Sequence, residues 1–184
     1  MTIRAWSPTF SGIRRAYRAR SGGDDDDPGS ACRARASTRP PAPYRLDVPP
    51  LAGHHRVRVT DAPVARLATV RPDGTPHLVP VTFALDGDAV VTVVDDKAKT
   101  TTDLQRLRNI EACPAASVLV DSYEDDWSLL WWVRGDGLGR IEREGRVHDE
   151  AVALLAAKYP PYRERPPDGP VVVLAVHRWV WWEA

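Results

Sequence analysis

Three strand-like runs joined by two Asp-Gly turns constrain this chain more than any other feature. They read "VARLATVR", "PDGT", "PHLVPVTFAL", "DGD" and "AVVTVV" across residues 64–94. Alternating apolar positions suit half-buried strands, and Asp-Gly between such runs is a tight-turn signal. The pattern predicts an antiparallel meander. Beyond it, Leu104, Leu107 and Ile110 follow helical spacing. Thr100 and Asp103 have the spacing of a capping box, so a helix is expected from near Thr101 to Cys113-Pro114. "AASVLVDSY" reads as a fourth strand and "LLWWVRGDGLGRIERE" as a long fifth strand broken by glycines. "DEAVALLAAKY" reads as a second helix, stopped by Pro160-Pro161. The proline-rich "PPYRERPPDGP" then leads into the last strand, "VVVLAVHRWVWW". The order predicts a mainly β, α+β domain: six antiparallel strands in a closed or nearly closed barrel, with two flanking helices. Neither GxGxxG nor GxxxxGK occurs, which excludes Rossmann and Walker nucleotide sites.

Composition matters mainly for where the domain begins. Residues 1–50 hold seven of the 17 prolines, the run "SGGDDDDPGS" and nine arginines against five aspartates. They are expected to be a disordered, basic, Pro/Arg-rich extension, with residues 51–184 forming the barrel domain. The extension carries a net charge of +4 and the remainder −4. The aspartate run interrupts the basic tail, and no aromatic or helical patterning accompanies it, so no nucleic-acid partner is expected. No apolar run approaches the ~20 residues of a membrane-spanning helix. Cys32 and Cys113 form no CxxC or Cys/His cluster, no metal site is expected, and the plain setting is the cytoplasm.

Lysine usage is the next informative feature. The chain has only three lysines, and two of them, Lys97 and Lys99, stand just ahead of Thr100-Thr101-Thr102 between the third strand and the helix. A helix N-terminus presents unpaired N–H groups and the positive end of a dipole. Flexible ammonium groups and hydroxyl donors added there suit a phosphate seat; solvated turn residues with a capping threonine are the plainer alternative.

The segments "ARLATVRPDGTPHLVPVTF" and "VVTVVDDKAKTTTDLQRLRNIEACPAASVLV" resemble the pyridoxamine 5′-phosphate oxidase-like split β-barrel superfamily. "DDWSLLWWVRGDGLGRI" and "AAKYPPYRERPPDGPVVVLAVHRW" resemble its actinobacterial branch of deazaflavin (coenzyme F-420)-dependent oxidoreductases. The resemblance covers about residues 60–184. It implies that Pro80, Val81 and Thr82 lie along a cofactor ring, and that Val93, Lys97, Lys99 and Thr100 hold the ribityl phosphate. It also implies that Arg134, in "VRGDG", reaches the site from the partner subunit of a homodimer. The reaction implied is hydride transfer between reduced deazaflavin and a small unsaturated or carbonyl substrate. FMN in an oxidase or reductase, and a non-catalytic cofactor-binding protein, are the alternatives. The family's "NP" after the helix is Cys113-Pro114 here. The arginine-rich C-terminal motif of true pyridoxamine phosphate oxidases is reduced to Arg178, which speaks against vitamin B6 oxidation.

The remaining conspicuous residues favour packing over chemistry. Seven tryptophans include Trp131, Trp132, Trp179, Trp181 and Trp182, whose large area suits a core or an interface. His77 opens the second strand near the expected site, but a turn-exposed imidazole is the simpler reading. No Ser/His/Asp or Cys/His arrangement is discernible, as suits chemistry carried by a cofactor. Arg106 and Arg108 are available on the helix for a longer anionic cofactor tail.

Overall fold

The computed structural model describes residues 51–95 and 104–184; the expected 1–50 extension and the Lys97–Thr100 turn lie outside the described residues. Helix α1 (Gly53–Asp61) leads into β1 (Ala65–Val70), β2 (Pro76–Val81), β3 (Ala84–Asp86) and β4 (Ala89–Val93). Helix α2 (Gln105–Ala112), β5 (Ala115–Ser122), a short 3-10 turn (Trp127–Leu129) and β6 (Trp131–Glu142) follow. Then come α3 (Arg146–Lys158), α4 (Pro160–Glu164) and β7 (Val171–Glu183).

Among the described residues, all seven strands form one antiparallel sheet in the order β2-β1-β5-β6-β7-β4-β3. Its two edges, β2 and β3, are consecutive in the chain and separated only by Thr82-Phe83. A flat seven-strand sheet would be about 28 Å wide, whereas Val81 and Ala84 are at most about 11 Å apart along the chain. The sheet must therefore curl until its edges approach, a half-barrel consistent with the expected split-barrel fold, with its edge strands β2 and β3 unpaired to each other.

Both Asp-Gly turns form as expected. Gly74 adopts φ +82°, the Asp73 carboxylate accepts the Thr75 N–H at 2.9 Å, and Val70 pairs with Pro76 to close the hairpin. Gly87 does the same between β3 and β4, with φ +57°. Pro76 and Pro80 lack ladder donors and stand on the edge strand β2, where that lack is tolerated.

Four expectations require correction. The second strand is not continuous: it turns a corner at Thr82-Phe83, so its halves occupy opposite edges and the strands among the described residues number seven. Helices among those residues flank the sheet at four places rather than two. The first, α1, has no side-chain cap and a weak apolar stripe, so nothing in its sequence announces it. Pro160-Pro161 ends α3 and also opens α4, because proline's fixed φ suits a helix's first turn. Finally, α2 begins at Gln105, since Leu104 before it has extended backbone.

The core among the described residues has three parts. Phe83, Leu67, Val118, Val133, Leu174 and Trp179 fill the barrel interior. Val91, Val93, Val171 and Val173 pack under Leu155 of α3 and Tyr162 of α4. Val94 and Val172 pack under Leu107 and Ile110 of α2. The run Val171–Leu174 is buried throughout because α3 and α4 cover Val171 and Val173 on one face of β7, while on the other Val172 lies under α2 and Leu174 enters the barrel interior. Trp179 lies over Gly135, where a Cβ would come within 2.8 Å of the indole. Trp131 packs against the barrel core, while Trp127, Trp181 and Trp182 are exposed. Among the described residues, no helix is long and apolar enough to cross a membrane.

Candidate functional site

The corner that splits the second strand also makes a cleft. Where a chain leaves a sheet ladder, its peptide groups lose their partners and need new ones. Phe83 finds them in Tyr159: the phenol accepts the Phe83 N–H at 3.0 Å and also lies 3.0 Å from the carbonyl oxygens of Phe83 and Pro63. Beside it, Thr82 Oγ1 lies 2.9 Å from Tyr162 Oη, which donates to Asp95 Oδ2 at 3.0 Å. The phenol's only proton goes to the carboxylate, so Thr82 is the donor in the first bond.

A cleft of about 290 Å³ opens between the end of β2 and β4. Pro80, Val81 and Val93 form its apolar wall, with Val64 at the margin. Thr82, Thr92, Asp95 and Arg106 supply the polar groups. The Thr92 hydroxyl is buried and has no hydrogen-bond partner among the described residues. Arg106 is held partly out of water on α2. Burial pulls its guanidinium below the usual arginine range, and the nearby Asp95 charge offsets part of that pull. A cation in this setting gains from an anion brought beside it.

Four of the residues expected at a cofactor site, Pro80, Val81, Thr82 and Val93, therefore line one cleft. Lys97, Lys99 and Thr100 lie outside the described residues, but the segment containing them is flanked by two cleft residues, Asp95 and Arg106. Arg134 does not line the cleft of its own chain. It stands in the middle of β6, opposite Leu119 and Val180, with Nε 3.0 Å from the Asp136 carboxylate. His77 is also absent from the cleft lining; its Nδ1 is 3.4 Å from Thr69 Oγ1. Burial, then the charges of Arg71 and Arg106, hold its imidazole below the ordinary histidine range and so favour the neutral ring.

Sequence reasoning misses Thr92, Asp95 and Tyr162. Asp95 is one of many surface-type aspartates, and Tyr162 sits in a segment that reads as a proline-rich connection. The pair of tyrosines three apart across Pro160-Pro161 is the one available signal. Arg106 is conspicuous in the sequence, but nothing in the helix pattern says that it faces a cleft.

The model of the pyridoxamine 5′-phosphate oxidase family matches residues 51–183, nearly all of the described chain. No curated protein matches. Among solved structures, a conserved hypothetical protein, Rv2991 from Mycobacterium tuberculosis, superposes with a TM-score of 0.61 at 19% identity. That match covers 77% of this chain and 90% of the other. A heme binding protein from Mycobacterium smegmatis is 29% identical with a TM-score of 0.56, over 69% of this chain and 51% of the other. A FAD-binding protein from Mesorhizobium loti gives a TM-score of 0.54 at 20% identity, over 70% and 91%.

Proposed function

Because the chain belongs to the pyridoxamine 5′-phosphate oxidase family, we propose that the cleft seats the ring of a phosphorylated deazaflavin, coenzyme F-420. In this reading the protein moves hydride between that ring and a small unsaturated or carbonyl substrate. One observation carries it: an apolar wall of Pro80, Val81 and Val93 faces the same space as a partly desolvated Arg106 and the Thr92 hydroxyl, which has no partner among the described residues. That combination fits a flat ring with a polar edge joined to an anionic chain. About 290 Å³ is room for a ring and not for a whole cofactor, so in this reading the phosphate is held outside the cleft.

Deazaflavin carries carbon in place of the flavin N5 and so supplies two-electron hydride transfer. The chain's own residues position and polarise. Backbone groups of Pro80–Thr82, at the end of an edge strand, are available to the ring's carbonyl edge. The hydroxyl chain from Thr82 through Tyr162 to Asp95 holds the Thr82 side chain in one orientation. Arg106 balances anionic charge that would otherwise meet Asp95. Lys97, Lys99 and Thr100 hold the phosphate, and Arg134 completes the site across a homodimer interface. The protein works in the cytoplasm, and its small substrate enters from the open side of the cleft.

FMN in an oxidase or reductase uses the same residues, and the FAD-binding structural neighbour supports that alternative. A non-catalytic role in holding a cofactor is the second reading, favoured by the 29% identity to a heme binding protein. Titration of the full chain with F-420, FMN and hemin, read by ligand fluorescence or absorbance, separates the three. Preferential F-420 binding, weakened at least about tenfold in Arg106→Gln and Lys99→Ala, is the expected result. FMN preference moves the function to the flavin branch. Hemin binding with neither flavin bound replaces the oxidoreductase reading with the carrier one.

A further inference from the structure

Away from the cleft, three side chains far apart in the sequence meet where α1 packs on the end of β7. His54 and His55 occupy the first turn of α1, and Glu183 is the last residue of β7, 129 positions beyond His54. One ring nitrogen from each histidine and one carboxylate oxygen lie within 4.8 Å of one another. His54 Nε2 is 3.2 and 3.1 Å from the two Glu183 oxygens. Consecutive helix positions point about 100° apart, yet these two rings approach to 4.0 Å. His55 is only 8% exposed and packs 4.9 Å from the Trp181 ring; its Nδ1 is buried with no hydrogen-bond partner among the described residues.

We propose that His54, His55 and Glu183 form a binding site for a divalent transition-metal ion of the zinc type. This revises the sequence expectation that the chain has no metal site. Two imidazoles and one carboxylate suit Zn²⁺, Co²⁺, Ni²⁺ or Cu²⁺, whereas Mg²⁺ and Ca²⁺ prefer all-oxygen shells. Bonds of about 2.0–2.1 Å in a tetrahedral shell place ligand atoms roughly 3.4 Å apart. The His54–Glu183 pair already has that spacing, and closing the trio takes a small turn of the two exposed side chains. The buried His55 ring is the preorganised member. Arg58 Nη1 donates to Glu183 Oε2 at 2.8 Å, which orients the carboxylate and leaves Oε1 for the ion. Its charge opposes the metal, so the two imidazoles must supply most of the affinity.

The ion would clamp α1 to the far end of the chain. A nine-residue helix without a side-chain cap gains little from its own hydrogen bonds and depends on such tertiary anchors. Three protein ligands leave a fourth position for water.

The test is Co²⁺ and Zn²⁺ binding to the full chain. One Co²⁺ per chain with an intense visible band, displaced by Zn²⁺ and not by Mg²⁺, is the expected result. Zn²⁺, measured by competition with a chromophoric chelator, should bind at least about tenfold more weakly to His54→Gln and to Glu183→Gln. His148→Gln serves as the control and should bind like the parent. His54 is exposed, so its variant folds even where a His55 substitution does not. Absence of the Co²⁺ band, or Zn²⁺ affinity unchanged in both ligand variants, overturns the proposal.

Discussion

Tyr162 donates its phenolic proton to Asp95 across 67 residues of sequence, at 3.0 Å, and thereby ties α4 to the strand end that borders the cleft. The same oxygen accepts from Thr82. One phenol thus joins the sheet corner, the end of β4 and the helical layer, and the cleft's shape depends on it.

Tyr162→Phe keeps the ring in its buried position and removes only the hydroxyl. It should lower stability by about 1–2 kcal/mol, the cost of a lost bond to a charged acceptor with Thr82 left unpaired. Urea denaturation measures this. An unchanged midpoint would mean that the hydroxyl chain contributes nothing to folding.

Lys158 provides a pH signature. Its Nζ is buried 3.9 Å from the Phe83 ring centroid, without a hydrogen-bond partner among the described residues. Burial pushes its pKa down to about 8, with Asp61 partly offsetting. Below about pH 8 both folded and unfolded chains carry the proton, and the folded state bears the desolvation cost. Between about 8 and the ordinary 10.5 only the unfolded chain keeps it, so this residue's contribution to stability rises with pH. The slope is at most about 1.4 kcal/mol per pH unit, and less where water screens the group. Urea midpoints from pH 7 to 10 should show a rise in the parent relative to Lys158→Met; parallel curves would contradict it.

Asn109 is fully buried on the inner face of α2, accepting from Gln105 Nε2 at 2.7 Å and donating to Thr69 Oγ1 at 2.9 Å. Asn109→Ala should cost about 2–4 kcal/mol, combining lost bonds, stranded partners and a cavity. Pairing Asn109→Leu with Thr69→Val removes both ends of one bond. The double variant should therefore lose less than the sum of the two single losses.

Gly137 stands at the register shift in β6, where a Cβ would overlap the Ala175 carbonyl oxygen of β7. Backbone cannot yield as a side chain can, so Gly137→Ala should destabilise by at least about 2 kcal/mol. Gly139→Ala meets only the Ile110 side chain, at 3.2 Å, and should cost less. Thermal melts of the two variants give the comparison directly.

Alternation, turn chemistry and helical spacing make much of this protein legible in its residues alone. Both Asp-Gly hairpins, the long strands β6 and β7 as separate elements, and the helices α2 and α3 follow from local rules, because each depends on neighbours a few residues away. That β6 pairs with β7 does not, since its partners lie 29 to 52 residues apart. The family follows from those segments in their order. The corner at Thr82-Phe83 does not, since "PHLVPVTFAL" is strand-like throughout. It bends because Tyr159 and Tyr162, some 80 residues later, supply partners for the groups that leave the ladder. The cleft therefore combines residues the sequence could nominate (Pro80, Val81, Thr82, Val93) with others that only chain folding brings to them: Asp95, Thr92 and Tyr162. The meeting of His54 and His55 with Glu183 is of the latter kind as well. Local periodicity can say which face of an element is apolar; which distant side chain comes to face it is decided by how the curled sheet closes.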